Sequence, residues 1–104
     1  MVKEKSLTTS MGEFLYEEFM KPLHLSAYKL AKGIRVPVSR IQDILHGRRK
    51  MTIDTSMRLG KFFGMHDLFF FKVQLDIDYV EAKRDLAEEL KKIHKIDIST
   101  QESI

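Results

Sequence analysis

LSAYKLAKGIRVPVSRIQDILHGRRK, residues 25–50, reads as two short helices joined by a tight turn, with a basic cluster directly behind the second. Leu30, Ala31 and Ile34 recur at the spacing that puts them on one face of a first helix, about 27–34. Ile41, Ile44 and Leu45 do the same for a second, about 38–46. Between them Val36 precedes Pro37, and a residue before proline is pushed out of helical geometry, so Val36 belongs to the turn. Two short helices that cross steeply need a small side chain where they touch, and Ala31 stands at that place. The second helix turns Val38, Ser39, Arg40, Gln42, Asp43 and His46 away from the core, a face polar enough to meet base edges in a major groove. A plain helical hairpin with a solvated face obeys the same packing rules, so spacing alone leaves that alternative open. The cluster Arg48-Arg49-Lys50 tips the reading toward DNA.

Charge distribution points the same way. The net charge is only +3. Residues 35–61, however, carry Arg35, Arg40, Arg48, Arg49, Lys50, Arg58 and Lys61 against Asp43 and Asp54, a balance of +5. Residues 76–104 carry acids at 76, 78, 81, 85, 88, 89, 97 and 102 against five bases, a balance of −3. A basic middle suits a polyanion and an acidic end stays off it. The 104 residues suffice for one domain with a modest core. No stretch approaches the roughly 20 apolar residues of a membrane span. MVKEKSLTTSMGEF lacks the apolar segment of a secretory leader, and the chain has no cysteine. The expectation is a cytoplasmic protein without disulfides or thiolate metal sites.

Working outward, Ser10 and Glu13 form S-x-x-E, a capping box. The helix it opens has Phe14, Leu15 and Phe19 inward, Glu13, Glu17 and Glu18 outward, and ends before Pro22. Ser26 can cap the next helix, and Gly47 offers a left-handed stop to the one after it. Thr52 or Asp54 can open a fourth helix closed by Gly64, with Ile53, Met57, Leu59, Phe62 and Phe63 as its apolar side. Asp67 can cap a fifth through LFFFKVQL. Whether that helix runs on through Asp76-Ile77-Asp78 into VEAKRDLAEELKKI stays open at this level. The latter stretch is helical by propensity and by charge pairing.

Each side chain on the second helix has a possible task. Arg40 and Ser39, in its first turn, can reach base edges, Val38 a thymine methyl, and Asp43 either a cytosine amine or Arg40. His46 lies further along the same side. Arg48, Arg49 and Lys50 can clamp phosphates, which fixes register without reading sequence. The helix start at Ser26, with Tyr28 and Lys29 beside it, offers amides to another phosphate. His24, His46, His66 and His94 match no metal-ligand spacing, and no glycine loop cradles a phosphate. Neither a cofactor, a metal nor an enzyme is expected. Phe69, Phe70 and Phe71 are consecutive, and each step turns a helix by about 100°, so they cannot all face one core. This surplus, with Leu68, Leu75, Ile77 and Tyr79, is the sequence argument for a dimer interface at Leu68, Phe70, Phe71, Leu75, Ile77 and Tyr79.

Several strings together resemble a known family. Five short helices with the motif at the second and third resemble the lambda-repressor-like, Xre-type domains. GEFLYEEFMKPLHLS, YKLAKGIRVPVSRI, ILHGRRKMTIDTSMRLGKFFG and FFFKVQ are closer to the HigA-type antitoxins of toxin–antitoxin modules, over about residues 11–79. This chain has His24 and Arg35 where that family usually has glycine, and Phe70 where it usually has tryptophan. A non-glycine residue at a left-handed helix end costs on the order of 1 kcal/mol. The resemblance implies a homodimer on an inverted-repeat operator in double-stranded DNA, and a RelE-like, mRNA-cleaving toxin as partner. The alternatives are a stand-alone Xre-type or phage-type repressor and a module that docks protein through the same face.

The expected fold is all-α: a five-helix, lambda-repressor-like DNA-binding domain with a C-terminal helical extension. Its parts are a flexible start at 1–9, a helix-turn-helix domain at 10–79 with its motif at about 26–46, a C-terminal helix at 80–95 and a disordered tail at 96–104.

Overall fold

Three of the helix starts are set by a hydroxyl side chain. The computed structural model describes residues 9–99. Ser10 Oγ accepts from the Glu13 amide at 3.1 Å, Ser26 Oγ from Lys29 at 3.0 Å and Thr52 Oγ1 from Thr55 at 3.3 Å. Helix α1 starts at Met11–Leu15 and continues as a π-helical turn, Tyr16–Met20. Helices α2 (Ala27–Ile34), α3 (Val38–Leu45), α4 (Ile53–Phe63) and α5 (Phe69–Leu90) follow. Among the described residues there is no strand. The fold is the expected all-helical, lambda-repressor-like domain.

The helix ends share one device. After α2, Val36 N–H donates to the Ala31 carbonyl at 3.0 Å and Arg35 N–H to that of Lys32 at 3.2 Å, a Schellman turn with Arg35 at φ 64°. His24, at φ 53°, ends α1 the same way, and Gly47 (φ 77°) and Gly64 (φ 74°) close α3 and α4. The left-handed geometry is therefore kept at the two positions where glycine is absent. The π turn in α1, closed by Lys21 N–H on the Tyr16 carbonyl at 2.8 Å, has an i→i+5 pitch that brings Leu15, Phe19 and Met20 toward one side.

The core is Leu15, Met20, Leu30, Ile41, Ile44, Leu59 and Phe70, all fully buried, with Met11, Ala31, Ile34 and Met51 beside them. Phe19 anchors an aromatic cluster whose ring centroids lie 4.9 Å from both Phe63 and Phe70. Gly12 lets α1 press on the end of α3, since a Cβ there would stand 2.6 Å from the Ile44 carbonyl oxygen.

Four expectations are corrected. Ile53, Met57 and Phe62 are exposed; α4 buries Thr55, Ser56, Leu59 and Gly60 instead, because small residues let it approach α5 closely. Asp67 does not cap α5. The buried Ser56 hydroxyl closes that corner, donating to the Asp67 carbonyl at 2.7 Å and accepting from Phe71 N–H at 2.9 Å. Phe70, expected at a dimer interface, is fully buried in its own chain. The C-terminal helix expected to begin at residue 80 is the second half of α5, which runs unbroken through residues 76–78. From residue 81 onward every described residue is exposed. The radius of gyration is 18.3 Å, against about 13 Å for a compact chain of this length. Residues 98 and 99 form a short turn in which Asp97 accepts from Ser99. The flexible start at residues 1–8 and the disorder at 100–104 fall outside the described residues.

Replacing Arg35 by Gly should relieve the left-handed strain and stabilise the domain by about 0.5–1 kcal/mol. Urea titration should show a higher midpoint at unchanged slope; a lower midpoint would mean the turn carries no such strain.

Candidate nucleic-acid interface

The two helices of the motif pack through Leu30, Ala31 and Ile34 on α2 and Ile41 and Ile44 on α3, all buried. The opposite side of α3 is what faces outward. Ser39, Gln42 and His46 are exposed, and Val38 and Asp43 are half-buried. The His46 ring nitrogen Nδ1 lies 2.8 Å from the Gln42 carbonyl oxygen. That oxygen can only accept, so Nδ1 donates to it. At the start of α3 the N-cap is Pro37, which supplies no side-chain acceptor. The first amides of α3 stay available there.

The cations are less free than their spacing suggests. Arg40 keeps only 24% of its side chain exposed and donates through a terminal nitrogen to Asp54 Oδ1 at 3.0 Å. The same oxygen accepts from Arg58 Nε at 2.8 Å, and Arg58 also donates to the carbonyls of Ile34 and Arg35 at 2.9 and 3.3 Å. Asp54 thus joins the end of α2, the start of α3 and the start of α4. The Arg58 hydrogen bond, with the charges of Arg58 and Arg40, holds the Asp54 carboxyl below its ordinary value of 3.8. Asp43 does not hold Arg40; it takes Arg48 instead, Nε and a terminal nitrogen each 3.0 Å from Oδ1. Lys50 Nζ reaches Asp78 Oδ1 on α5 at 2.9 Å, and that hydrogen bond and charge raise the lysine pKa. The buried Gln74 ties the same loop down, accepting from Met51 N–H at 2.9 Å and donating to Asp78 at 3.0 Å. Of the basic run, Arg49 alone has no acidic partner among the described residues. Ser26 spends its hydroxyl on capping, Lys29 is exposed, and Tyr28 lies under Lys32 Nζ at 5.8 Å.

Elsewhere on the chain, Leu75 and Tyr79 lie one turn apart on α5 and are more than half exposed, whereas Leu68, Phe71 and Ile77 are half-buried. Among the described residues no cluster could hold a metal ion, and no helix is long and apolar enough to cross a membrane. Sequence reading missed Asp54, Arg58, Gln74 and Asp78. Asp54 and Arg58 stand at the i,i+4 spacing of a helical ion pair, a legible sign. The pairing of Arg40 with Asp54, and of Met51 with Gln74, had no local sign.

A polar recognition face on the third helix of a five-helix bundle, with a basic loop behind it, defines a lambda-repressor-like helix-turn-helix regulator. No family model matches the chain. Virulence-associated protein I of Dichelobacter nodosus is 40% identical over 74 residues, 71% of this chain and 68% of that protein. An addiction-module antidote protein of the HigA family from Coxiella burnetii is 34% identical, with a TM-score of 0.75 over 83% of this chain and 95% of that one. The Pseudomonas aeruginosa antitoxin HigA, solved with the higBA promoter, has the same fold, with a TM-score of 0.77 over 85% of this chain and 97% of that one at 24% identity. The chain belongs to the HigA-type antitoxin family.

Proposed function

We propose that this protein binds an inverted-repeat operator as a two-fold dimer, represses its own operon and neutralises a RelE-like, mRNA-cleaving toxin in the cytoplasm, with no catalytic activity of its own. The observation that carries the DNA part is the exposed polar face of α3 beside an unpaired Arg49. In this reading Val38, Ser39, Gln42, Asp43 and His46 meet base edges, and Lys29, Arg49 and the α2 start at Ser26 and Tyr28 meet phosphates. Arg48 and Lys50 contribute once phosphate displaces Asp43 and Asp78. The Pseudomonas aeruginosa HigA structure with the higBA promoter supports the reading. Arg49→Ala should weaken binding to every duplex and flatten the slope of affinity against salt by about one. Ser39→Ala should instead relax discrimination at one base position, by roughly 1–3 kcal/mol. Gel shifts with the fragment upstream of the gene measure both; equal, salt-independent losses would contradict the assignment.

The dimer rests on Leu75 and Tyr79, flanked by the half-buried Leu68, Phe71 and Ile77. A two-fold arrangement sets the recognition helices about 34 Å apart, one turn of DNA. Leu75→Glu with Tyr79→Glu should give a monomer by sedimentation at micromolar concentration and a footprint of one half-site. A dimer that survives both changes places the contact elsewhere.

For the toxin, the first helix supplies the acidic surface. Glu13 and Glu18 are exposed, and Glu17 pairs only loosely with Lys21 at 3.7 Å. Such a face suits a basic partner. A neighbouring reading frame encoding a small basic protein should arrest growth when expressed alone, and this chain should restore growth. Reversing Glu17 and Glu18 to Lys should weaken rescue but leave operator binding intact. No rescue by the unmodified chain would leave a stand-alone repressor, and binding to a protein partner but to no DNA would leave a docking module.

A further inference from the structure

Arg40 stands in the first turn of the recognition helix, where an arginine is well placed to read guanine. Its guanidinium is nevertheless turned toward α4, most of the side chain is covered, and its Nε is buried with no hydrogen-bond partner. An arrangement that leaves a buried donor unsatisfied is costly, so the carboxylate that holds it must outweigh that cost. Asp54 is that carboxylate, and Arg58, anchored on the Ile34 and Arg35 carbonyls, fixes Asp54 in turn. Asp54 also sits in the first turn of α4, where an acid is favourable whatever Arg40 does. A purely structural acid would have no effect on which DNA is chosen.

Building on the DNA-binding reading above, we propose that Asp54 is a specificity-determining residue: it keeps Arg40 off the DNA, so that discrimination rests on Val38, Ser39, Gln42, Asp43 and His46. A mobile arginine at the mouth of the groove would find a phosphate on any sequence, adding affinity without information. Held against α4, Arg40 instead fixes the angle at which α3 is presented. Arg40 is thus a positioning residue and Asp54 the group that makes it one.

Asp54→Asn is the test, read by fluorescence anisotropy on two duplexes of equal length, the fragment upstream of the gene and an unrelated sequence, over a range of salt. Released Arg40 should raise affinity for the unrelated duplex about three- to tenfold, with little gain on the promoter fragment. The slope of log affinity against log salt should steepen by about one, the signature of one more phosphate contact. Adding Arg40→Gln should cancel both changes. Arg40→Gln alone should lower promoter affinity without relaxing any single base position. Asp54→Ser, a smaller uncharged side chain, replaces Asp54→Asn if the latter does not fold. An unchanged preference and slope in Asp54→Asn would overturn the proposal, as would gains that persist in the double variant, since these would come from lost repulsion alone. Loss of discrimination at one base pair in Arg40→Gln would also overturn it. If the unmodified chain binds neither duplex, the DNA-binding reading itself falls and takes this one with it.

Discussion

No side chain fits between the start of α1 and the end of α3. Gly12 faces the carbonyls of Ile44 and Leu45 across that seam, and a Cβ would drive the helices apart. Interiors are packed densely enough that such a displacement spreads to every neighbour. Here the neighbours are Leu15, Ile41 and Ile44, each fully buried, so the position of the recognition helix is set by a contact on its hidden side. The opposite side can then vary freely in chemistry, which is what a reader of DNA needs.

Around that seam the polar ties form two separate groups. Asp54 gathers Arg40 and Arg58 where α2, α3 and α4 meet, and Gln74 with Asp78 gathers Met51 and Lys50 against α5. Exposed ion pairs of this kind contribute little each to stability. Their importance is geometric: together with the Schellman turns at Arg35 and Gly47 they hold both ends of α3, and the loop behind it, in one arrangement. Asp54 stays charged below the ordinary carboxylate range, so the first group persists as pH falls toward that range and is lost only beneath it.

The parts of the fold written in local chemistry were legible in the sequence. Ser10, Ser26 and Thr52 cap as read, and α2 and α3 bury the residues that their spacing selects. Periodicity failed where tertiary approach overrides hydrophobicity. In α4 the stripe Ile53, Met57 and Phe62 lies outward because Ser56 and Gly60 are the only residues small enough for the α5 corner. Asp67 looked like a cap, but Ser56 satisfies that corner from eleven residues away. The site was half legible. Its polar face follows from helical geometry, whereas the fate of each cation depends on an acid brought near only by folding: Asp54 for Arg40, Asp78 for Lys50. The run of three phenylalanines was read as a surplus for another chain, yet Phe69 and Phe70 meet edge to face at 5.0 Å inside an aromatic cluster of this one.

The outer half of α5 has a consequence of another kind. An isolated helix of about ten residues is marginal in water, and here only local pairs such as Lys91 with Glu88 and Lys92 with Glu89 support it. It must therefore unwind far more often than the domain to which it is attached, and unwound chain is what proteases cut. Lys83, Arg84, Lys91 and Lys92 offer trypsin-like cleavage points along this exposed segment. Cleavage within the described residues should therefore begin here, and a molecule that covers this segment should slow it.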